Sequence, residues 1–268
     1  MSRIQNILDK AEREGGLLRM RALDPEVGAR TPDILDHAPA GPGIVDPTTL
    51  TPGRVVQDTR LDPLLVAALA PAARASEQYR ALRMRVSHAE HTAPVRVIVV
   101  TSPGRREGKT LTAANLALTM AQDFQRRICV VDADLRHSRL HRLYGLADGP
   151  GLADVLTGRA SLGDALTLIE DQQMTLLPAG RATAHPAELL GGIVMRDTIE
   201  RLRANFDRVI IDAPAAAPLA DLGILAPLAD GVVLVVRAGQ TTKPAVQEAV
   251  SSIGQARLLG IILNDATD

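Results

Sequence analysis

Residues 95–110 read VRVIVVTSPGRREGKT and continue directly into LTAANLALTMAQ at 111–122. The opening run is apolar and largely β-branched, the pattern of a strand covered on both faces. The closing run carries apolar residues at helical spacing. Between them lies a loop with Gly104 and Gly108 that ends in Gly-Lys-Thr. A strand, a glycine-bearing loop and a helix start aim backbone amides and partial positive charge at one point, and that point suits a phosphate. Gly108 lets the backbone come close. Lys109 is placed to reach the outer phosphates of a nucleotide, and the Thr110 hydroxyl to ligate Mg²⁺. The pattern G-x-x-x-x-G-K-[ST] is met except at its first position, where Pro103 stands beside Gly104. On the loop alone, a glycine turn that merely contains Gly-Lys-Thr is the competing reading.

Working outward, two more apolar runs end in carboxylates. RICVVDAD (127–134) supplies Asp132 and Asp134, and DRVIIDAP (207–214) supplies Asp212. Mg²⁺ takes hard oxygen ligands, few of them from protein. Carboxylates at neighbouring strand ends can meet Thr110 around such an ion, and one can orient or deprotonate an attacking oxygen. Taken singly, each aspartate fits a turn or helix cap as well. Further strands are expected at MTLLP (174–178), GVVLVVR (231–237) and LLGIILN (258–264). PAELLGGIVMRDTIERLRAN (186–205) and TKPAVQEAVSSIG (242–254) read as helices between them. Alternating strands and helices predict an α/β fold of the P-loop NTPase type, with a mainly parallel central sheet flanked by helices. Ligands of such folds sit at the carboxyl ends of the strands.

Composition narrows the function. Aromatics make up 1 % of the 268 residues (Tyr79, Tyr144, Phe124, Phe206 and no Trp), so the base-stacking surfaces of single-strand nucleic-acid binders are not to be expected. Thirty basic and 31 acidic side chains leave a net charge of −1, which selects neither nucleic acid nor anionic lipid. A lone cysteine, Cys129, gives no disulfide framework and points to a cytosolic protein. No apolar run approaches the roughly 18 residues of a membrane span. Residues 2–14 place Ile4, Ile7, Leu8 and Ala11 on one helical face, and residues 24–60 are rich in proline. The expected organisation is an N-terminal amphipathic helix with a flexible linker over 1–60 and an ATP-binding domain over 61–268.

TSPGRREGKTLTAANLA, VVDADLR, GLADVLTG, LLPAG with HPAELL, FDRVIIDAP and DGVVLVVRAGQT, in this order, resemble the bacterial tyrosine kinases of capsule and exopolysaccharide synthesis. The resemblance spans roughly residues 61–264. It implies ATP and Mg²⁺ as cofactors. It also implies a nucleotide cradle formed by Gly104, Arg105, Arg106, Glu107, Gly108, Lys109, Thr110 and Leu111. Metal ligands would come from Thr110, Asp132 and Asp212, with catalytic roles for Lys109, Asp132, Asp134 and Asp212. Asn264 falls where related ATPases place an adenine-contacting asparagine. The family's E-x-x-R-x-x-R helix falls on Glu77, Arg80 and Arg83 and implies ring-like self-association; the spacing alone fits an ordinary solvated charge set. The start, MSRIQNILDKAERE, resembles the subgroup whose kinase is a separate chain from its membrane partner, a chain-length regulator. The implied location is cytoplasmic, at the inner membrane only through that partner, with no nucleic acid involved.

The sequence departs from this family in one respect. It lacks the usual tyrosine-rich tail, its only tyrosines being Tyr79 and Tyr144. Two other functions therefore stay in view: a MinD/ParA-like ATPase and a nucleotide-switched scaffold with little turnover. Against the first, Gly104 occupies the place of that class's signature lysine. His137 and His141, spaced i, i+4, read as surface or phosphate-proximal side chains rather than a metal pair. Arg136, Arg139 and Arg142 read as a solvated basic face, and Cys129 as a small core residue.

Overall fold

The computed structural model describes residues 49–123, 126–217 and 221–265. The helix expected over 2–14 and most of the proposed linker lie outside these residues. Eight strands form one sheet in the order β1-β4-β5-β3-β6-β2-β7-β8. They are β1 (Arg54–Val56), β2 (Val97–Thr101), β3 (Ile128–Asp132), β4 (Thr167–Ile169), β5 (Met174–Leu177), β6 (Arg208–Asp212), β7 (Gly231–Arg237) and β8 (Leu258–Asn264). The helices are α1 (Val66–Leu69), α2 (Arg74–Ala89), α3 (Lys109–Ala121), α4 (Leu140–Leu143), α5 (Leu152–Leu156), α6 (Leu162–Ala165), α7 (Pro186–Gly191), α8 (Ile193–Asn205), α9 (Asp221–Leu225) and α10 (Lys243–Ile253).

All six strands expected from apolar runs are present, and every pairing among them is parallel. They are apolar throughout because both faces are covered. Val97, Val99, Cys129, Val131, Val209 and Ile211 face a core shared with α8 and α9. Their neighbours Ile98, Val100, Ile128, Val130 and Ile210 face the other core, with α2 and α3. The period of two splits one continuous apolar run between two layers.

Two strands were not expected. β4 pairs antiparallel with β5, and β1 pairs parallel with β4, so this edge runs against the rest of the sheet. β1 lies inside the stretch read as a flexible linker. Its three residues, flanked by Pro52 and Asp58, are too short to show periodicity; what fixes them is pairing with a strand more than a hundred residues away. The single helix read over 186–205 divides at Gly192, whose backbone is extended. The helical stretch within 61–92 divides around Pro71.

α3 is the axis of the second layer, with almost every residue buried. Its Asn115 is fully buried. The side-chain oxygen accepts the Ala67 N–H at 3.0 Å, and the amide donates to the Leu64 and Leu111 carbonyls, both at 3.1 Å. This one side chain ties the α1 segment to the phosphate-loop helix. Asn115→Ala leaves the buried Ala67 N–H and the Leu64 carbonyl without their partner, and is expected to cost about 2 kcal/mol in urea unfolding, with early loss of amide protection over 64–70.

Candidate functional site

β2, β3 and β6 lie side by side, and their carboxyl ends deliver the site. In register, Val100 stands beside Asp212 and Asp212 beside Asp132. The loop after β2 turns over Gly108, whose φ of 99° is a left-handed conformation that favours glycine. A Cβ there would lie 2.2 Å from the Asn264 amide nitrogen. Asn264 donates to the Glu107 carbonyl at 3.0 Å, and the Thr241 hydroxyl donates to a Glu107 carboxylate oxygen at 2.8 Å. The loop is thus clamped from β8 and from the turn after β7. The other Glu107 carboxylate oxygen is buried without a hydrogen-bond partner.

Lys109 is 8 % exposed. Its Nζ lies 2.8 Å from Asp134 Oδ2 and 3.3 Å from Asp212 Oδ1. It also donates to the Thr110 hydroxyl at 3.2 Å. Burial works against its charge, but Asp212 and Asp134 more than offset this and hold its pKa above the ordinary lysine value. Burial also works against Asp134, yet contact with Lys109 keeps that carboxyl below the usual range. For Asp212 burial dominates and pushes the carboxyl upward, despite Lys109 and the Thr110 hydroxyl.

Asp132 is placed differently from its predicted partners. Its oxygens accept the Asp134 N–H (3.2 Å), the Ser138 hydroxyl (3.1 Å) and the Leu140 N–H (3.2 Å). It therefore caps the turn that presents Asp134, and it acts on Lys109 through space rather than by contact. Burial, with the Asp212 charge added, pushes its carboxyl up to about 7.

A cavity of about 380 Å³ opens over the loop, walled by Arg105, Arg106, Lys109, Thr110, Asp134 and Arg139, among others. Cationic side chains, a helix N-terminus and a lysine held by carboxylates suit a triphosphate and its cation. Among the described residues no group of three or more His, Cys, Asp or Glu side chains could hold a metal by itself. Asp134, Thr110 and Asp212 are the oxygen donors around Lys109, and Mg²⁺ takes most of its ligands from phosphate and water.

The other predicted residues are also located. Leu111 lines the cavity and Gly104 sits in the loop. Glu77 and Arg80 pair with each other on the surface of α2 at 2.6 Å. Arg83 turns inward and donates to the Thr119 carbonyl at 2.9 Å, fastening α2 to α3. His137 leans on Asp134, whereas His141 is buried between Ser138 and Asp148, so the two imidazoles do not face one another. Arg136 is exposed, as expected, and also pairs with buried Asp221 at 3.3 Å. Ser138, Thr241 and Asp221 went unnoticed in the sequence, because isolated polar residues in loops carry no spacing signal.

The tyrosines are the other finding. Tyr144 is fully buried and its hydroxyl donates to the Ala114 carbonyl at 3.0 Å. Tyr79 packs against the second core with its hydroxyl on Thr112 and Asn115. Burial raises the pKa of both phenols.

This loop, strand order and carboxylate set define a P-loop nucleotide-binding protein. By its relatives the chain belongs, more narrowly, to the bacterial tyrosine-protein kinases. It is 33 % identical over 208 residues to the tyrosine-protein kinase YwqD of Bacillus subtilis, covering 77 % of this chain and 87 % of that one. It is 31 % identical over 214 residues to the tyrosine-protein kinase CpsD of Streptococcus agalactiae, covering 78 % and 91 %. Longer relatives match over a smaller share: the succinoglycan biosynthesis transport protein ExoP of Rhizobium meliloti is 34 % identical over 200 residues, 25 % of its length. Among solved structures, the chimerical protein CapA2B2 superposes with a TM-score of 0.73 at 28 % identity, over 82 % of this chain and 96 % of that one. The septum site-determining protein MinD of Pyrococcus horikoshii, complexed with Mg-ADP, gives 0.53 at 25 % identity, over 63 % and 69 %. No family model matches the chain.

Two outcomes test the site. Lys109→Met removes the buried cation that faces the cavity, and is expected to weaken binding of a fluorescent ATP analogue roughly 100-fold; wild-type affinity would overturn the assignment. The second is a pH effect. An unfolded aspartate titrates near 4, and Asp132 does so at about 7 when folded. The folded state therefore holds the extra proton, and stability falls as pH rises from about 4 to about 7. In Asp132→Asn this fall is expected to flatten, read as a smaller difference between urea midpoints at pH 5 and pH 8.

Proposed function

We propose that this chain is an ATP- and Mg²⁺-dependent protein-tyrosine kinase of exopolysaccharide or capsule synthesis that phosphorylates tyrosine on another polypeptide. The observation that carries this reading is Lys109 held between Asp134 and Asp212 beside a basic cavity, in a chain whose Tyr144 is buried and Tyr79 partly buried, both hydroxyls hydrogen-bonded. The acceptor hydroxyl attacks the γ-phosphorus, the bond to the β–γ bridging oxygen breaks, and ADP leaves with that electron pair. Lys109 and the loop amides hold the phosphates. Asp134 is ionised and lines the cavity, so it is the group within reach to orient the incoming hydroxyl and take its proton. Asp132 is wholly buried and supports Asp134 by fixing the turn. Thr110 and Asp212 are the residues that would hold Mg²⁺, which would neutralise phosphate charge, with Asp132, spent on the turn, standing behind them.

The relatives YwqD and CpsD carry the name tyrosine-protein kinase, and ExoP is named for succinoglycan biosynthesis and transport. Their names support the reaction and the setting. The membrane partner is a chain-length regulator whose cytoplasmic tail supplies the activating contact, with the kinase cytoplasmic and peripheral at the inner membrane. No helix among the described residues is long and apolar enough to cross a membrane. Self-association runs through Glu77, Arg80 and Arg83, of which Glu77 is the most exposed. A nucleotide-switched assembly of the MinD kind is the second reading, favoured by the hydrogen-bonded, inward placement of the Tyr79 and Tyr144 hydroxyls.

Phosphopeptide mass spectrometry after incubation with Mg-ATP and the partner's cytoplasmic tail separates the two. Phosphotyrosine is expected on the tail and absent from Tyr79 and Tyr144; release of phosphate with no phosphotyrosine anywhere would leave the switch. Arg80→Ala is expected to lower the mass seen by light scattering without a change in melting temperature, because the Glu77–Arg80 pair is exposed and contributes little to the monomer.

A further inference from the structure

The segment 134–142 separates two depressions on the carboxyl edge of the sheet. One is the phosphate cavity. The other, of about 700 Å³, lies between Ser138–Arg142, the loop at 148–150, α5 with Arg159, and the turn after β5 at 180–182. The phosphate chemistry described above makes no use of it.

Its charge is distinctive. Arg142, Arg159 and Arg181 line it. β1 contributes a fourth guanidinium, that of Arg54, which lies against Gly149; a Cβ on that glycine would come within 2.6 Å of it. Two carboxylates oppose them. Asp148 is exposed and lies 3.0 Å from His141 Nε2. Asp154 is buried and spent internally. One of its oxygens meets Arg159 Nε at 3.2 Å and Arg181 Nε at 3.7 Å; the other accepts the Gly151 and Arg181 backbone N–H groups, both at 3.1 Å. Asp154 therefore orients two guanidiniums while engaging one nitrogen of each. A guanidinium carries five N–H donors, so most are not engaged by Asp154. Arg142 has no ion-pair partner among the described residues. Pre-oriented guanidiniums in a recess match carboxylates, which they bind in a forked geometry.

We propose that this pocket binds acidic residues flanking the acceptor tyrosine in the substrate polypeptide. The inference rests on the kinase reading above and adds a specificity determinant to it. The two depressions share the 134–142 wall, with Asp134 on one side and Arg142 on the other. An extended chain advances about 3.5 Å per residue, so a polypeptide with its phenol at Asp134 brings residues only a few positions away over the guanidiniums. No Phe, Tyr or Trp side chain lines the recess, so it offers no broad stacking platform for bases or sugars.

The test is direct binding to the full chain, which needs no turnover. A fluorescein-labelled hexapeptide with one tyrosine among glutamates is compared with its glutamine counterpart by anisotropy. The acidic peptide is expected to bind more tightly and to weaken steeply with salt. Arg142→Ala should weaken it severalfold and Arg142→Ala with Arg181→Ala about tenfold, leaving the glutamine peptide and ATP-analogue binding unchanged. Arg142 makes no ion pair, so its variant is expected to fold, and melting temperature checks the double variant. Equal binding of both peptides, or undiminished binding by both variants, overturns the proposal. So does displacement of the peptide by an acidic oligosaccharide at lower concentration than by unlabelled peptide. Acidic-peptide binding that depends on Arg142, without phosphotyrosine formation under any condition, removes the kinase reading and leaves the pocket as an acidic-peptide site.

Discussion

A buried ammonium must be compensated, and the placement of Lys109 follows from that requirement. Burying a charge without partners costs far more than one domain's net stability can absorb. Two carboxylates meet the need here, Asp134 at 2.8 Å and Asp212 at 3.3 Å, and they arrive from different strands. Their convergence depends on β3, β6 and β2 being neighbours in this order. The electrostatics of the site and the strand order of the sheet are therefore one constraint. The same compensation prepares the lysine to exchange a carboxylate for phosphate oxygens without an intervening uncompensated state.

The layers around this point are arranged to hold it still. α3 begins at Lys109 and is buried along its length, so its N-terminus cannot shift without disturbing the second core. Asn115, Tyr79 and Tyr144 all spend their polar atoms on α3 or its neighbours. Arg83 does so as well, through the Thr119 carbonyl. Part of the helix carrying the family's self-association motif is thus also the brace of the nucleotide loop. α2 and the helix that carries the loop are joined as packed rigid elements.

The placement of the phenols shapes the chemistry. Tyr144 is fully buried and Tyr79 partly so, and both hydroxyls are hydrogen-bonded within the fold. The likeness to MinD is one of fold, as expected where one fold carries several activities. What separates these activities is the surface that receives the second substrate. In the proposal made above, that surface is the 134–142 segment between the phosphate cavity and the arginine-lined recess.

Much of this was legible in the chain. SPGRREGKT, the paired aspartates of VVDAD and the aspartate of VIIDAP each carry a local signature, because strand burial, loop closure and phosphate binding are imposed by neighbours in sequence. β1 and β4 were not legible, since strands of three residues are defined by their partners rather than by their own pattern. Nor were the inward turn of Arg83, the commitment of Asp132 to the 138–140 turn, or the hold of Asp154 on Arg159 and Arg181. The sequence by itself determined that a nucleotide's phosphates have a place to bind and which residue types surround it. Which carboxylate faces the cavity and which is buried behind it was decided by tertiary structure, because a side chain's direction depends on groups that meet only when distant strands align.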